Sequence, residues 1–389
     1  MGDDRIQVWL FITSLVVGGA ERTLVTLANN IDRSRFDVTV WTMFEENPLA
    51  ADIADDVPVR TLGGEGVPVG DEKVATIEGA ENPLDYVRLP LRFVRELRAE
   101  RPDVLQSFLV YDNTVARLAG LFAPGTAVVT GARGERNLSD PVPKALDRGL
   151  LPLSDHIASN SQTGADFYAE RGMPREDIVV VRNGRDLDRY REGTAEGLRE
   201  EFEIPADALV VGNVGRLLER KGQFDLLAAW PAVKAAHPNA HCVLVGDGEA
   251  RDALVDRIDE LGCGESVHLA GTRNDVPALL DLMDVFAFPS HHEGLPGALL
   301  EAMAAGLPIA ASSIPGNQEL IAHGENGLLV PPNDSEALAE AIDTLAADTE
   351  RARTLAEQAQ SDAYENYSHE SMVEGFESLY ESIASVTNE

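Results

Sequence analysis

Short apolar runs alternate with longer segments of helical periodicity along the whole chain. Runs of strand character stand at 6–12, 37–44, 57–62, 104–109, 127–130, 156–160 and 178–181. A second series stands at 208–214, 241–245, 266–270, 286–288, 308–312 and 326–330. Segments with helical spacing lie between them. At 18–31, Leu24, Leu27, Ala28 and Ile31 share one face. At 83–101, Leu89, Phe93, Val94 and Leu97 form an apolar stripe beside arginines at 88, 92, 95, 98 and 101. Further helices are expected at 112–121, at 160–172 with Asn160 or Ser161 as its cap, and at 334–347, 350–365 and 371–385. Alternation of strand and helix implies parallel sheets, so the fold class is α/β.

A chain of 389 residues is long enough for two domains, each with its own core. The division expected is 1–188, a linker at 189–205, a second domain at 206–367 and a terminal helix at 368–389 that packs back on the first domain. No internal repeat or low-complexity tract interrupts the pattern. The formal charge is -34, spread along the chain, and lysine occurs only at 73, 144, 221 and 234. Such a balance repels the phosphates of nucleic acid, which is excluded as a partner. It fits an acidic surface of the kind a salt-rich, halophilic cytoplasm tolerates, because salt screens self-repulsion. Cys242 and Cys263 form neither a disulfide framework nor a zinc spacing. The first apolar run, 8–17, is short and broken by Thr13 and Ser14 behind an acidic start. That reads as a strand rather than a signal peptide or membrane span, and the expectation is a cytoplasmic protein. The arginine-bearing helix at 83–101 has the form of a helix that lies on anionic lipid, and equally of one that covers a sheet.

The richest stretch is FAFPSHHEGLPGALLEAMAAG at 286–306: a buried strand, a polar loop, a helix and a stop. Pro296 suits the first turn of that helix and Gly306 its C-terminal cap. Glu293 lies in the loop and Glu301 on the helix, about 12 Å further at 1.5 Å rise per residue. Between them the N–H groups of Gly294, Leu295 and Gly297 sit at a helix start, which attracts anionic phosphate. An elongated ligand with a sugar, a diphosphate and a ribose would span this distance. The same spacing also describes an ordinary turn with two exposed glutamates.

The stretch SHHEGLPGALLEAMAAGLPIAAS resembles the E-x7-E signature of retaining glycosyltransferase family 4, whose GT-B architecture has two Rossmann-like domains with parallel sheets facing across a cleft. Gly215-Arg216 followed by Lys221-Gly222 is similar to that family's G-R-x4-KG element, which supplies two fixed cations for a diphosphate. Gly246-Asp247-Gly248-Glu249 resembles its second glycine turn, under the nucleotide; Arg251 breaks a dinucleotide fingerprint there. Gly271-Thr272-Arg273-Asn274 matches a turn whose backbone faces the base, and Pro315-Gly316-Asn317-Gln318-Glu319 a loop whose glutamate approaches the donor. Gly18-Gly19 stands where the family has a glycine loop near the diphosphate and the acceptor. Asn183-Gly184-Arg185-Asp186 looks like the family's boundary turn, and Asp186-Leu187-Asp188 is read as an accidental D-x-D. His291 and His292 would shape the loop rather than hold metal. The chain departs from the family after the strand at 127–130. A histidine is common there, and this sequence has Arg133, Glu135, Arg136 and Asn137.

The resemblance implies transfer of a sugar from a nucleoside diphosphate sugar to an acceptor hydroxyl, with configuration retained. Glu293, Arg216 and Lys221 would be catalytic. Donor contacts would come from Gly19, Gly215, Arg216, Lys221, Gly246, Gly271, Gly294, Leu295, Pro296, Gly297, Glu301 and Glu319. Acceptor contacts would come from Gly18, Arg133 and Arg136. No cofactor or metal is expected. The start SLVVGGAERTLVTLANNI and the later RGERN are similar to members that extend lipid-linked saccharides, which points to a polyprenyl-linked acceptor and contact with the inner membrane face. Two other readings stand beside this one: a two-domain sugar-nucleotide epimerase, which would lack the paired motifs, and a non-catalytic nucleotide-sugar sensor, which turnover would exclude.

Overall fold

The computed structural model describes residues 5–16, 18–64, 85–133, 141–191 and 193–387. Glu135, Arg136 and Asn137 therefore fall outside the described residues. The chain forms two compact units, one of residues 1–185 with 369–389 and one of residues 186–368.

Unit 1 holds strands β1 (Ile6–Ile12), β2 (Phe36–Phe44), β3 (Val59–Gly64), β4 (Val104–Ser107), β5 (Ala127–Ala132), β6 (His156–Ser159) and β7 (Ile178–Val180). Its helices are α1 (Gly19–Asn30), α2 (Asp85–Glu100), α3 (Val110–Gly120), α4 (Pro141–Leu150) and α5 (Gln162–Ala169). The strands form one parallel sheet in the order β3-β2-β1-β4-β5-β6-β7. Ser161 caps α5, its hydroxyl accepting from Gly164 N at 3.1 Å. The sequence reading missed α4, which opens on Pro141 with Pro143 two residues on; proline suits a first turn, where its absent N–H has no partner to lose.

Unit 2 holds α6 (Leu198–Glu201), β8 (Val210–Val214), α7 (Gln223–Ala236), β9 (His241–Val245), α8 (Arg251–Leu261), β10 (Val267–Gly271) and α9 (Val276–Leu282). It continues through β11 (Val285–Phe288), α10 (Gly297–Ala304), β12 (Ile309–Ser312), α11 (Pro315–Gln318), β13 (Leu328–Val330), α12 (Ser335–Ala347) and α13 (Thr349–Tyr367). Its parallel sheet runs β10-β9-β8-β11-β12-β13. Within residues 189–205, expected as a linker, three buried apolar side chains join this core. Tyr190, Leu198 and Ile204 are buried with Leu279, Leu282 and Phe286, because apolar side chains at those positions have a sheet-covering layer to join.

In both sheets the strand order reverses once: between β1 and β4 in unit 1, and between β8 and β11 in unit 2. Loops leaving two strands in opposite directions open a crevice at their carboxyl ends, where ligands of open α/β sheets bind.

The last helix, α14 (His369–Thr387), joins unit 1. Extended backbone at Ser368 separates it from α13. Met372, Val373, Phe376, Leu379, Tyr380 and Ile383 enter the core formed by β1, β2 and α1. Glu377 accepts from the Asp32 backbone N–H at 2.7 Å and pairs with Arg35, which also holds Glu381 at 2.7 Å. Truncating Phe376, 1 % exposed, leaves a cavity in that core. Phe376→Ala should weaken unit 1 by about 3–5 kcal/mol. Native-state hydrogen exchange at β1 and β2 amides measures this; unchanged protection there would show that α14 is not part of the cooperative core.

Candidate functional site

The carboxyl ends of β8 and β11 carry the sequence's richest motifs. After β8 the chain runs through Gly215-Arg216, a single 3-10 turn at Glu219–Lys221, and Gly222 into α7. Gly222 has φ of 72°, and a Cβ there would lie 2.0 Å from the Pro289 carbonyl oxygen. Only glycine lets this turn close against the loop after β11. That loop is held in return: His291 N donates to the Arg220 carbonyl at 2.8 Å, and the His291 ring meets Asp225 at 2.6 Å.

Across this junction Lys221 Nζ donates to Glu293 Oε1 at 2.6 Å. The carboxylate is only 9 % exposed and the lysine 18 %, so water screens the pair weakly. Ser290 Oγ donates to the same oxygen at 2.7 Å. Ser312 at the end of β12 donates to the Ser290 carbonyl, and Asn317 Nδ2 donates to the Ser312 carbonyl at 2.8 Å. Gly316 completes the support. A Cβ on it would stand 2.3 Å from the Gly294 oxygen and 2.7 Å from that of Glu293. Glu293 is thus fixed from three directions, by β8, β11 and β12. Among the described residues its second carboxylate oxygen carries no hydrogen bond.

Helix α10 follows with Pro296 as its N-cap rather than in its first turn. The N–H groups of Gly294, Leu295 and Gly297 donate to no acceptor among the described residues. Gly306 has φ of 73° just past the helix end, as its capping role requires. Glu301 lies partly exposed on α10. Arg216 is exposed, and its guanidinium meets no acceptor among the described residues; its carbonyl accepts from the buried Gln223 amide at 3.2 Å. Glu319 is exposed at the end of α11.

The other two glycine motifs are packed against the same loops. A Cβ on Gly246, with φ of 130°, would lie 2.0 Å from the Gly215 oxygen. Leu217 N donates to Asp247 O at 3.0 Å, and Gly246 N to Gly271 O at 2.8 Å. Backbone packing therefore accounts for the glycine at 246. Arg273 is tied to Glu201 and Asp275. Asp186 and Asp188 are both exposed, and no group of three or more His, Cys, Asp or Glu among the described residues is arranged to hold a metal ion.

Unit 1 fills its own crevice differently. Thr13, just after β1, hydrogen-bonds Asp112 at the start of α3, and Asp112 Oδ2 accepts from Leu109 N at 3.1 Å. Burial pushes the Asp112 carboxyl up to about 7; the Thr13 and Leu109 hydrogen bonds oppose this and the nearby Glu21 charge adds to it. Glu21, in the first turn of α1, is also raised by burial, with Arg133 pulling the other way. Its carboxylate folds back over Gly18, whereas Gly19 has open space beside its Cα. Arg133 is partly buried over the Phe108 ring and donates to Asn183 at 2.6 Å and Thr23 at 3.1 Å, while its buried Nε has no protein partner. Burial lowers it to about 10. Of the acceptor residues expected, Gly18 and Arg133 thus meet one buried polar cluster, and Arg136 lies outside the described residues. Sequence reasoning missed Asp112, Glu21, Ser290, Ser312 and Asn317. Glu21 stood in a quoted motif, but burial alone reveals its state.

Comparison with known proteins agrees with this architecture. The family description "Glycosyl transferases group 1" matches residues 195–362, and "Glycosyltransferase Family 4" matches residues 17–189. The lipopolysaccharide core biosynthesis glycosyltransferase LpsE of Rhizobium meliloti is 32% identical over 75% of this chain and 80% of its own. HepE of Anabaena, solved in complex with UDP and also with UDP-glucose, is 25% identical in the UDP complex, with a TM-score of 0.70 over 97% of this chain and 100% of that one. A glycosyltransferase from Rickettsia africae shares the fold at a TM-score of 0.73 over 98% of this chain and 99% of that one, with 16% identity. Two parallel-sheet Rossmann-like units define the GT-B class. The chain belongs to glycosyltransferase family 4 and is a glycosyltransferase.

The Asp112 carboxyl gives a pH test. Folded, it keeps a proton at pH values where the unfolded chain, titrating near 4, has lost it. The stability it lends is full at low pH and is lost as pH rises through about 7. Asp112→Asn stays neutral: its amide oxygen can accept from Leu109 N and its amide nitrogen donate to the Thr13 hydroxyl oxygen. Its unfolding free energy should fall less between pH 5 and 8 than that of the parent. Parallel pH curves for the two proteins would show that Asp112 is already ionised at low pH.

Proposed function

We propose that this protein is a retaining glycosyltransferase that moves a sugar from a nucleoside diphosphate sugar to the hydroxyl of a lipid-linked saccharide. The observation that carries the donor assignment is the Lys221–Glu293 pair at the unit 2 crevice, with the amides of 294, 295 and 297, which meet no acceptor among the described residues, and the exposed Arg216 in the same β8–α7 segment as Lys221. Departure of a nucleoside diphosphate develops charge on its β-phosphate. Fixed N–H groups and cations stabilise such charge without reorganising. In this reading Arg216, Lys221 and the amides take the diphosphate, with Gly215 in the same loop; Gly19 keeps the donor role that the family resemblance implies for it. Glu293 orients the sugar hydroxyls through its second oxygen. Glu301 holds the ribose, and Gly246 and Gly271 form the floor under the nucleotide, with Glu319 near the sugar. Gly18, Arg133 and Arg136 are assigned to the acceptor. The family signature supports the retaining outcome, and no metal or covalent nucleophile is given a role.

UDP is the nucleotide to try first, because HepE holds UDP and UDP-glucose. LpsE, a lipopolysaccharide core enzyme, supports an acceptor in surface polysaccharide assembly. No helix among the described residues is long and apolar enough to cross a membrane, so work on a lipid-linked acceptor at the inner membrane face would need peripheral contact. Calorimetry with UDP, beside kinetics with a full donor, tests the division of labour. Glu301→Gln and Arg216→Ala should each weaken bare UDP by about 1.5–3 kcal/mol, the worth of a charge-assisted hydrogen bond. Glu293→Gln should leave UDP affinity nearly intact and lower turnover. Equal loss of UDP affinity in the Glu293 and Glu301 variants would refute the assignment.

A salt-adapted, halophilic cytoplasm is the setting the charge supports. Self-repulsion at -34 is relieved by screening. The melting temperature should climb from dilute buffer to molar KCl. A flat or falling curve contradicts this setting.

A further inference from the structure

Among the described residues, the large apolar side chains left exposed are Val59, Leu91, Leu118, Leu121, Phe122, Leu146 and Val255. Five of these seven lie on one helix layer of unit 1. Leu91 is on α2, Leu118 on α3, Leu121 and Phe122 just past the end of α3, and Leu146 on α4. Leu91 is 65 % exposed and Phe122 53 %. Helix α3 packs against both α2 and α4. The layer is fastened from within, because the fully buried Arg117 of α3 pairs with Asp147 of α4 at 2.7 Å and donates to Ser154 at 2.8 Å. The exposed residues are therefore the outer surface of a fixed layer, whose inner side holds Leu89, Phe93, Leu97, Val115 and Ala119 in the core.

This surface also departs from the chain's charge. At 3.6 residues per turn, Arg88, Arg95 and Arg98 fall on the same side of α2 as Leu91, opposite buried Leu89 and Phe93. Arg148 is exposed on α4. The acids among them are Glu96, paired with Arg95, and Glu100, paired with Arg60. In a chain of net charge -34, arginines interleaved with exposed leucines and a phenylalanine form a local basic and apolar face.

We infer that the outer face of α2, α3 and α4 docks unit 1 onto an anionic lipid surface. Arginine heads reach lipid phosphates while Leu91, Leu118, Leu121, Phe122 and Leu146 enter the headgroup boundary. Charge favours this occupant over a second copy of the chain. An isologous contact would set the arginine row against itself. The acids elsewhere do not forbid it, since the Debye length is about 10 Å at 0.1 M salt and only nearby charge is felt. The inference extends the lipid-linked acceptor reading but needs no donor or turnover for its test, so either can fail alone.

The test is flotation of the full-length protein with phosphatidylglycerol vesicles and with phosphatidylcholine vesicles, in 0.15 M and 2 M KCl. The protein should float with the anionic vesicles, more strongly at the lower salt. The double variant L121E/F122E should lose at least ~10-fold in partitioning, and R95E/R98E a comparable factor at low salt, with UDP affinity unchanged in both as the check on folding. Failure of the parent to float, or equal flotation of parent and both variants, overturns the inference. So does a dimer in sedimentation that L121E/F122E dissolves, which would give this face to a second copy.

Discussion

The ion pair between Lys221 and Glu293 is the contact on which the unit 2 site depends. It joins the loop after β8 to the loop after β11, where the strand order reverses and the two loops diverge. Divergence creates the crevice, but a crevice lined by free loops would hold nothing in place. The close approach of Gly222 to Pro289 brings the loops together, and the partly buried pair fixes the carboxylate between them. Ser290, Ser312 and Asn317 extend that restraint back to β12. A carboxylate held this way suits the role proposed for it, the ordering of sugar hydroxyls, because it has little freedom of its own to lose.

Unit 1 has the same sheet topology at its reversal and the opposite chemistry. There the crevice between β1 and β4 is closed by Thr13 and Asp112, with Glu21, Thr23, Arg133 and Asn183 around them. Asp112 is fully buried and holds its proton into the neutral range, whereas Glu293 sits beside a lysine. One fold thus presents a charged, partly open crevice in one unit and a proton-bearing, buried one in the other.

The division into alternating strands and helices was legible because apolar period carries it, as at β11, where 286–288 was expected and Val285–Phe288 formed. Gly306 was legible as a helix end because only glycine takes its φ cheaply. Strand order was not, since nothing in β4 says that it lies beside β1. Residues 189–205 read as a linker because their apolar positions, Tyr190, Leu198 and Ile204, are too sparse to show a period; burial against α9 and β11 makes them core. In the candidate site, the family resemblance singled out Glu293, Lys221 and Arg216. That Lys221 and Glu293 pair with each other was not, because 72 residues separate them and only the folded sheet brings them together. The supporting hydroxyls were hidden for the same reason.

The central claim is that the start of α10, held by the Lys221–Glu293 pair, receives the diphosphate of the donor. Hydrogen exchange of the full-length protein with and without UDP measures this directly. The account predicts slowed exchange at the amides of 294, 295 and 297, where no acceptor among the described residues competes, and reduced slowing in Lys221→Met, which removes the lysine from Glu293. Protection by UDP that leaves these amides unchanged and appears elsewhere in unit 2 would contradict it.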